Sequence, residues 1–217
     1  SDLSNCPIAA SSRLPEVVCA AGVRQVTLAA ASPLRRGTAR LKETGVATKN
    51  LIIDPSEYDL NHVIADIHEI RKYNCQRFEM EQLTAVVFED PKRHICVAYK
   101  DLAEDEFWVR GHMPGMPIMP GVIMCEAAAQ MASFYVQHQK LMDTEMVGFG
   151  GLEDVRFRGI VHPGDRFVVV GQLLKVRRVL MTCRFQCIVD DNVVCEGIIK
   201  GIPLPVDTIR QMQQGRQ

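Results

Sequence analysis

Gly111-His112-Met113-Pro114-Gly115-Met116-Pro117-Ile118-Met119-Pro120-Gly121-Val122 leads into Ile123-Met124-Cys125-Glu126-Ala127-Ala128-Ala129-Gln130, and the reading of the fold turns on this stretch. Three prolines and three glycines in the first twelve residues exclude a helix or a central strand there. A loop so restricted has little conformational entropy left to lose and can hold one side chain in a fixed place. That side chain is His112. From Val122 to about Gln139 the pattern changes: Ile123, Met124, Met131, Phe134, Tyr135 and Val136, with alanines between them, leave almost no polar face. A helix apolar nearly all round is buried on most sides. Pro120 suits its first turn, where a missing N–H costs nothing. At Gly121 and Val122 the opening amides lack helical acceptors and the dipole is positive, so the terminus suits a carbonyl oxygen that gains negative charge.

Glu126 stands a turn and a half into this apolar run. A carboxylate there is costly unless it is paired, hydrogen-bonded or protonated. Taken singly, Glu126 could be a buried hydrogen bond at a subunit contact, and His112 a loop histidine capping a turn. Taken together, on a rigid loop and the helix it enters, they are an acid and a base converging near an oxyanion site. Elimination next to a thioester requires that set of groups.

Working outward, the first part of the chain differs from the rest. From Pro7 to Asn50 it is rich in Ala, Ser and Thr, and seven basic residues face only Glu16 and Glu43. Residues 1–53 read as a poorly ordered basic extension, with an import peptide as the alternative. The folded domain is expected over 54–217. Ser56 with Asp59 fits a helix start, and Leu60, Val63, Ile64, Ile67 and Ile70 predict an amphipathic helix of about four turns. Leu83–Phe88 and Ile95–Tyr99 read as strands joined by a turn at Asp90-Pro91-Lys92. After the apolar helix come strands only, over Val155–Phe157, Phe167–Val176, Met181–Val189 and Val193–Ile199. Turns fall at His162–Asp165 and Asp190–Asn192. The plan is α+β: an antiparallel sheet curling around one long buried helix.

Composition narrows the function. The 217 residues carry 25 basic against 26 acidic side chains, for a net charge of −1. No basic stripe interleaved with aromatics points to nucleic acid, and no apolar run reaches membrane-spanning length. The eight cysteines form no Cys-x-x-Cys pair and no zinc-like cluster, so no metal site is expected. Cys183 and Cys187, flanking Phe185 on one strand face, read as small core hydrophobes.

His112-x-x-Gly115-x-Pro117-x-Met119-Pro120-Gly121-Val122, followed by Glu126-Ala127-x-Ala129-Gln130, resembles the signature of β-hydroxyacyl-[acyl-carrier-protein] dehydratases of the FabZ type. The resemblance covers roughly Leu60 to Pro203 and continues in Val155-Arg156-Phe157-Arg158 and Pro163-Gly164-Asp165. It implies a hot-dog fold and a homodimer, or dimer-based oligomer, whose sheets join edge to edge. In such a dimer His112 of one subunit and Glu126 of the other share a site. It implies an acyl chain on the phosphopantetheine of an acyl carrier protein as substrate, no cofactor, and a cytoplasmic place in fatty acid or related lipid biosynthesis. In that chemistry amides at Gly121 and Val122 polarise the thioester and His112 takes the α-proton. Glu126, or a water it holds, protonates the departing β-hydroxyl. Arg71-Lys72-Tyr73-Asn74-Cys75-Gln76-Arg77-Phe78 lacks the two prolines of the family's corresponding segment, so chain-length preference is not carried over. Other readings are the dehydratase-isomerase branch (with Asp where Glu126 stands), a specialised lipid or polyketide dehydratase, an acyl thioesterase, or a silent acyl-binding subunit.

Overall fold

The computed structural model describes residues 51–207 and 211. The basic extension up to Asn50 lies outside the described residues. Two helices and six strands make up the rest: α1 (Ile67–Ile70), β1 (Ala85–Asp90), β2 (Ile95–Asp101), α2 (Gly121–His138), β3 (Val147–Phe157), β4 (Arg166–Arg177), β5 (Leu180–Val189) and β6 (Asn192–Pro203). The strands form one sheet in the order β1-β2-β4-β5-β6-β3, every neighbouring pair antiparallel. The chain has the hot-dog architecture, with the long helix packed against the sheet.

Alternation along the strands separates two apolar clusters, as a period of two requires. Val86, Cys96, Ala98, Phe167 and Val169 point one way and join Met124, Ala128, Met131 and Phe134 of α2 in the main core. Ala85, Val87, Ile95, Val97, Val168 and Val170 point the other way. What covers this second face corrects the sequence reading. The four-turn helix predicted from Leu60 to Ile70 is absent. Leu51, Ile52, Tyr58 and Leu60 instead lie as irregular chain against the sheet, around the buried Ile53. Ile52 N–H donates to Gln186 Oε1 at 2.9 Å, so the fold takes in Leu51–Ile53, just ahead of the expected start at residue 54.

Three aspartates explain the missing helix. Asp54 accepts from Ser56 N–H at 2.9 Å, Asp59 from Asn61 N–H at 2.8 Å and Asp66 from Glu69 N–H at 2.9 Å. Each is a local side-chain-to-backbone bond that competes with a continuous helical ladder. Asp54 closes a capping box over a single 3₁₀ turn, Pro55–Glu57, and Asp66 caps only the one-turn α1. Between them Ile64 and Ala65 donate to Val86 O, drawing the chain along β1 instead.

The remaining elements follow the expected pattern. The turn after β1 is held by Asp90, which accepts from Lys92 and Arg93 N–H at 2.9 and 3.1 Å. Pro120 sits at the N-cap rather than inside the first turn of α2. β3 begins earlier than Val155, taking in the glycine-rich Val147–Gly151, and forms the open edge beyond β6. Phe149, Leu152 and Phe157 are exposed along it.

Cys183 and Cys187 are buried in the main core with Phe185, beside Cys96, Cys125 and Cys195. Burial pushes the Cys183 thiol up to about 12, and Cys125 is raised by its hydrogen bond to Cys195 and then by burial. A thiol held protonated is a poor nucleophile. Brief alkylation of the native protein followed by mass mapping should modify Cys75, which is exposed, and leave those five intact. Equal labelling of all six would contradict this packing.

Candidate active site

The loop carrying His112 is clasped at both ends by the segment 161–165. Leu102 N–H donates to Asp165 O, Gly164 N–H donates to Leu102 O, and Met119 N–H donates to Val161 O at 2.8 Å. Asp165 tightens its own turn by accepting from His162 N–H at 2.7 Å. The Pro163-Gly164-Asp165 turn is therefore an anchor for the loop rather than a part of the chemistry. Within the loop, Met113 and Met116 exchange backbone bonds at 3.1 and 2.9 Å, and the His112–Met113 peptide is cis. His112 donates its N–H to Trp108 O and accepts from Ile118 N–H, so its backbone is fixed on both sides.

The same loop fixes the imidazole. His112 Nδ1 lies 2.9 Å from Ile118 O, and a carbonyl oxygen can only accept. Nδ1 must therefore carry the proton, which leaves Nε2 with a free lone pair in the neutral ring. A half-buried imidazole in that tautomer is equipped to take a proton from a bound molecule.

Pro120 caps α2 without any side-chain hydrogen bond. Ile123 and Met124 donate to Pro120 O, so helical bonding begins there, after Gly121 and Val122. Their amides are the opening donors of an 18-residue helix. A Cβ at Gly121 would stand 2.7 Å from the Phe157 ring, so a larger residue there would have to displace that exposed side chain.

Glu126 lies on the face of α2 that lines a cavity of about 230 Å³, with Ala129, Ser133 and Gln137 further along the helix. Its partners define its orientation. Oε1 accepts from Gln130 Nε2 at 2.8 Å and from Gln76 Nε2 at 3.3 Å. Gln130 has no freedom to flip, because its Nε2 also donates to Met80 O at 2.7 Å and its Oε1 accepts from Gln82 N–H at 2.9 Å. Asn74 Nδ2 donates to Gln130 O beneath it. With Oε1 taken by two amides, a proton on Glu126 resides on Oε2, which among the described residues has no partner.

Gln130 is quoted in the sequence motif without a role, and Gln76 falls in the segment that departs from the motif. The signal for Gln130 was present: a second polar residue at i+4 from Glu126 on an otherwise apolar helix is costly unless paired. Nothing in the sequence pointed to Gln76. Replacing Gln130 by leucine should strand Gln82 N–H and Met80 O and lower stability by about 1–3 kcal/mol in chemical denaturation. An unchanged midpoint would mean that water replaces both bonds.

No hydrogen bond joins His112 to Glu126 among the described residues, and His112 does not line the cavity at Glu126. Gly121 and Val122 lie between them in sequence, at the mouth of α2. Among the described residues no cluster of three His, Cys, Asp or Glu side chains is placed to hold a metal ion, and no helix is long and apolar enough to cross a membrane.

An antiparallel sheet holding one long buried helix, with a carboxylate on that helix facing a cavity, defines a protein of the hot-dog class. Residues 74–198, more than half of the chain, match the FabA-like domain, and the chain belongs to that family. Among solved structures it is similar to the dehydratase heterocomplex ApeI:P from Xenorhabdus doucetiae, at 15% identity and a TM-score of 0.54, over 66% of this chain and 96% of that one. It is also similar to Cj0977, a sigma28-regulated virulence protein from Campylobacter jejuni, at 13% identity and a TM-score of 0.49, over 64% of this chain and 91% of that one. At such identities the likeness is one of fold.

Proposed function

We propose that the protein dehydrates a β-hydroxyacyl thioester carried on the phosphopantetheine of an acyl carrier protein, as FabZ-type enzymes do. The observation that carries this reading is Glu126 at the cavity, with Oε1 accepting from two amides and Oε2 left without a partner among the described residues. A protonated carboxyl so held can deliver its proton in one direction only. The substrate carbonyl accepts from the amides of Gly121 and Val122, which stabilise enolate character as the α-proton leaves. His112 Nε2 takes that proton. The Cβ–O bond breaks as Glu126 Oε2 gives its proton to the hydroxyl, releasing water and leaving a trans-2-enoyl thioester. His112 is then protonated and Glu126 ionised, and net transfer of one proton between them through solvent resets the site.

His112 is not among the residues lining the cavity at Glu126, and on this reading the site takes one residue from each of two subunits. The exposed β3 edge, with Phe149, Leu152 and Phe157, supplies an open strand and apolar surface for pairing two sheets. Fatty acid or related lipid biosynthesis supplies such substrates. Incubation with β-hydroxyacyl carriers and mass detection tests the reading: loss of water with the thioester intact supports it. Release of free carrier thiol would assign thioesterase chemistry instead, and binding with no reaction would leave a silent acyl-binding subunit.

A further inference from the structure

Resting on the dehydratase reading, we infer that Tyr73, Gln137 and Leu204 form a fixed partition that limits the length of the substrate's acyl chain. The cavity at Glu126 extends along α2 to Gln137, roughly 16 Å along the helix axis at 1.5 Å per residue. Met181, Ile199, Val147 and Phe149 give it an apolar wall suited to an alkyl chain. Beyond the partition lies a second, wider groove of about 1100 Å³ lined by Lys140, Asp143 and the segment 203–207. Tyr73, Gln137 and Leu204 line both spaces and so stand between them.

Each of the three is held in place. Gln137 Nε2 donates to Tyr73 O at 2.9 Å and to Ser133 Oγ at 3.0 Å. The Tyr73 ring stands edge-on to Phe134 at 5.4 Å and to His138 at 5.3 Å between centroids. Leu204 N–H donates to Met146 O at 3.0 Å, and its side chain fills the space over Gly148, where a Cβ would be 2.6 Å away. A partition fastened by hydrogen bonds, ring contacts and a glycine-made seat is a stop rather than a loose flap. The stop comes from residues outside the His112–Glu126 motif, two of them in the divergent segment and at the end of β6.

The test separates chain length from chemistry. Saturated S-acyl-pantetheines of four to sixteen carbons are titrated against the full-length protein by calorimetry, and the matching β-hydroxyacyl carriers are assayed for dehydration. Affinity should rise by about fourfold per added carbon while the chain is being buried and level off well short of sixteen carbons. Leu204→Ala and Gln137→Ala should each carry the rise on to longer chains, the far end passing into the wider groove. Ala129→Leu, which narrows the same cavity, should shorten it by roughly three carbons, the number of atoms leucine adds. Melting curves identify any variant that fails to fold, and either of the other two then suffices. A wild-type affinity that climbs steadily to sixteen carbons, or the same profile in folded variants, overturns the partition. If binding follows the expected lengths but no chain is dehydrated, the partition stands and the proposed reaction falls.

Discussion

His112→Ala is expected to abolish dehydration, and Glu126→Gln to lower kcat by ~10²–10⁴-fold with acyl binding largely kept, since a general acid or base typically contributes that much. No other side chain on the clasped loop presents a lone pair as His112 Nε2 does, with Nδ1 committed to Ile118 O. At position 126 the amide keeps the shape. It can still meet Gln130 and Gln76, but its amide N–H is far too weak an acid to protonate a departing hydroxyl. Neither change opens a large apolar cavity, so both variants should fold and assemble. Initial rates on a β-hydroxyacyl carrier, read beside a melting curve for each variant, check the assignment. Near-normal turnover by a folded variant removes that residue from the mechanism, and near-normal turnover by both moves the active site elsewhere.

The parts of this fold that were legible in the sequence are those whose environment is uniform. α2 is apolar on nearly every face because the sheet and its neighbours surround it, and such a run has one reading. β2 and β4 alternate between two apolar faces and so read as continuous strands. The failure between Leu60 and Ile70 has a physical cause. The helical spacing of Leu60, Val63, Ile64, Ile67 and Ile70 is real, but Val63 and Ile64 are exposed and no single face is buried. Side-chain bonds from Asp59 and Asp66 and the bridge from Ala65 to Val86 outweigh periodicity when no tertiary surface rewards a helix there. The early part of β3 escaped because three of its first five residues are glycines and its exposed edge carries no alternation.

The candidate site was legible as two residue types and not as a geometry. Composition and spacing single out His112 and Glu126, and they locate Gly121 and Val122 as helix-opening amides. What the carboxylate does depends on which of its oxygens is engaged. That is decided by Gln130, itself fixed by Met80 O and Gln82 N–H from a segment some fifty residues away in sequence. Such contacts have no local signature. The cavity at Glu126 is likewise assembled from α2, β3, β5, β6 and the residues around Tyr73, five pieces that no sequence window spans.

Mixing the two inactive variants is expected to restore activity, with the largest relative gain of any experiment on this protein. In the proposed two-fold dimer each site would take His112 from one subunit and Glu126 from the other. A dimer of His112→Ala with Glu126→Gln then contains one site lacking both groups and one site in which both are intact. Random exchange at equal concentrations makes half of the dimers mixed, so the restored rate should approach about a quarter of wild type. Each parent alone stays ~10²-fold or more below wild type, and so at least ~25-fold below that level. His112 is not among the residues lining the Glu126 cavity, which motivates the expectation, and the open β3 edge provides the means of pairing. Subunit exchange is followed independently by native mass spectrometry, so failure to mix is not mistaken for failure to complement. Mixed dimers present at the expected fraction with no gain in rate would place both residues in one subunit's site. Restoration tracking that fraction would assign the pair to two.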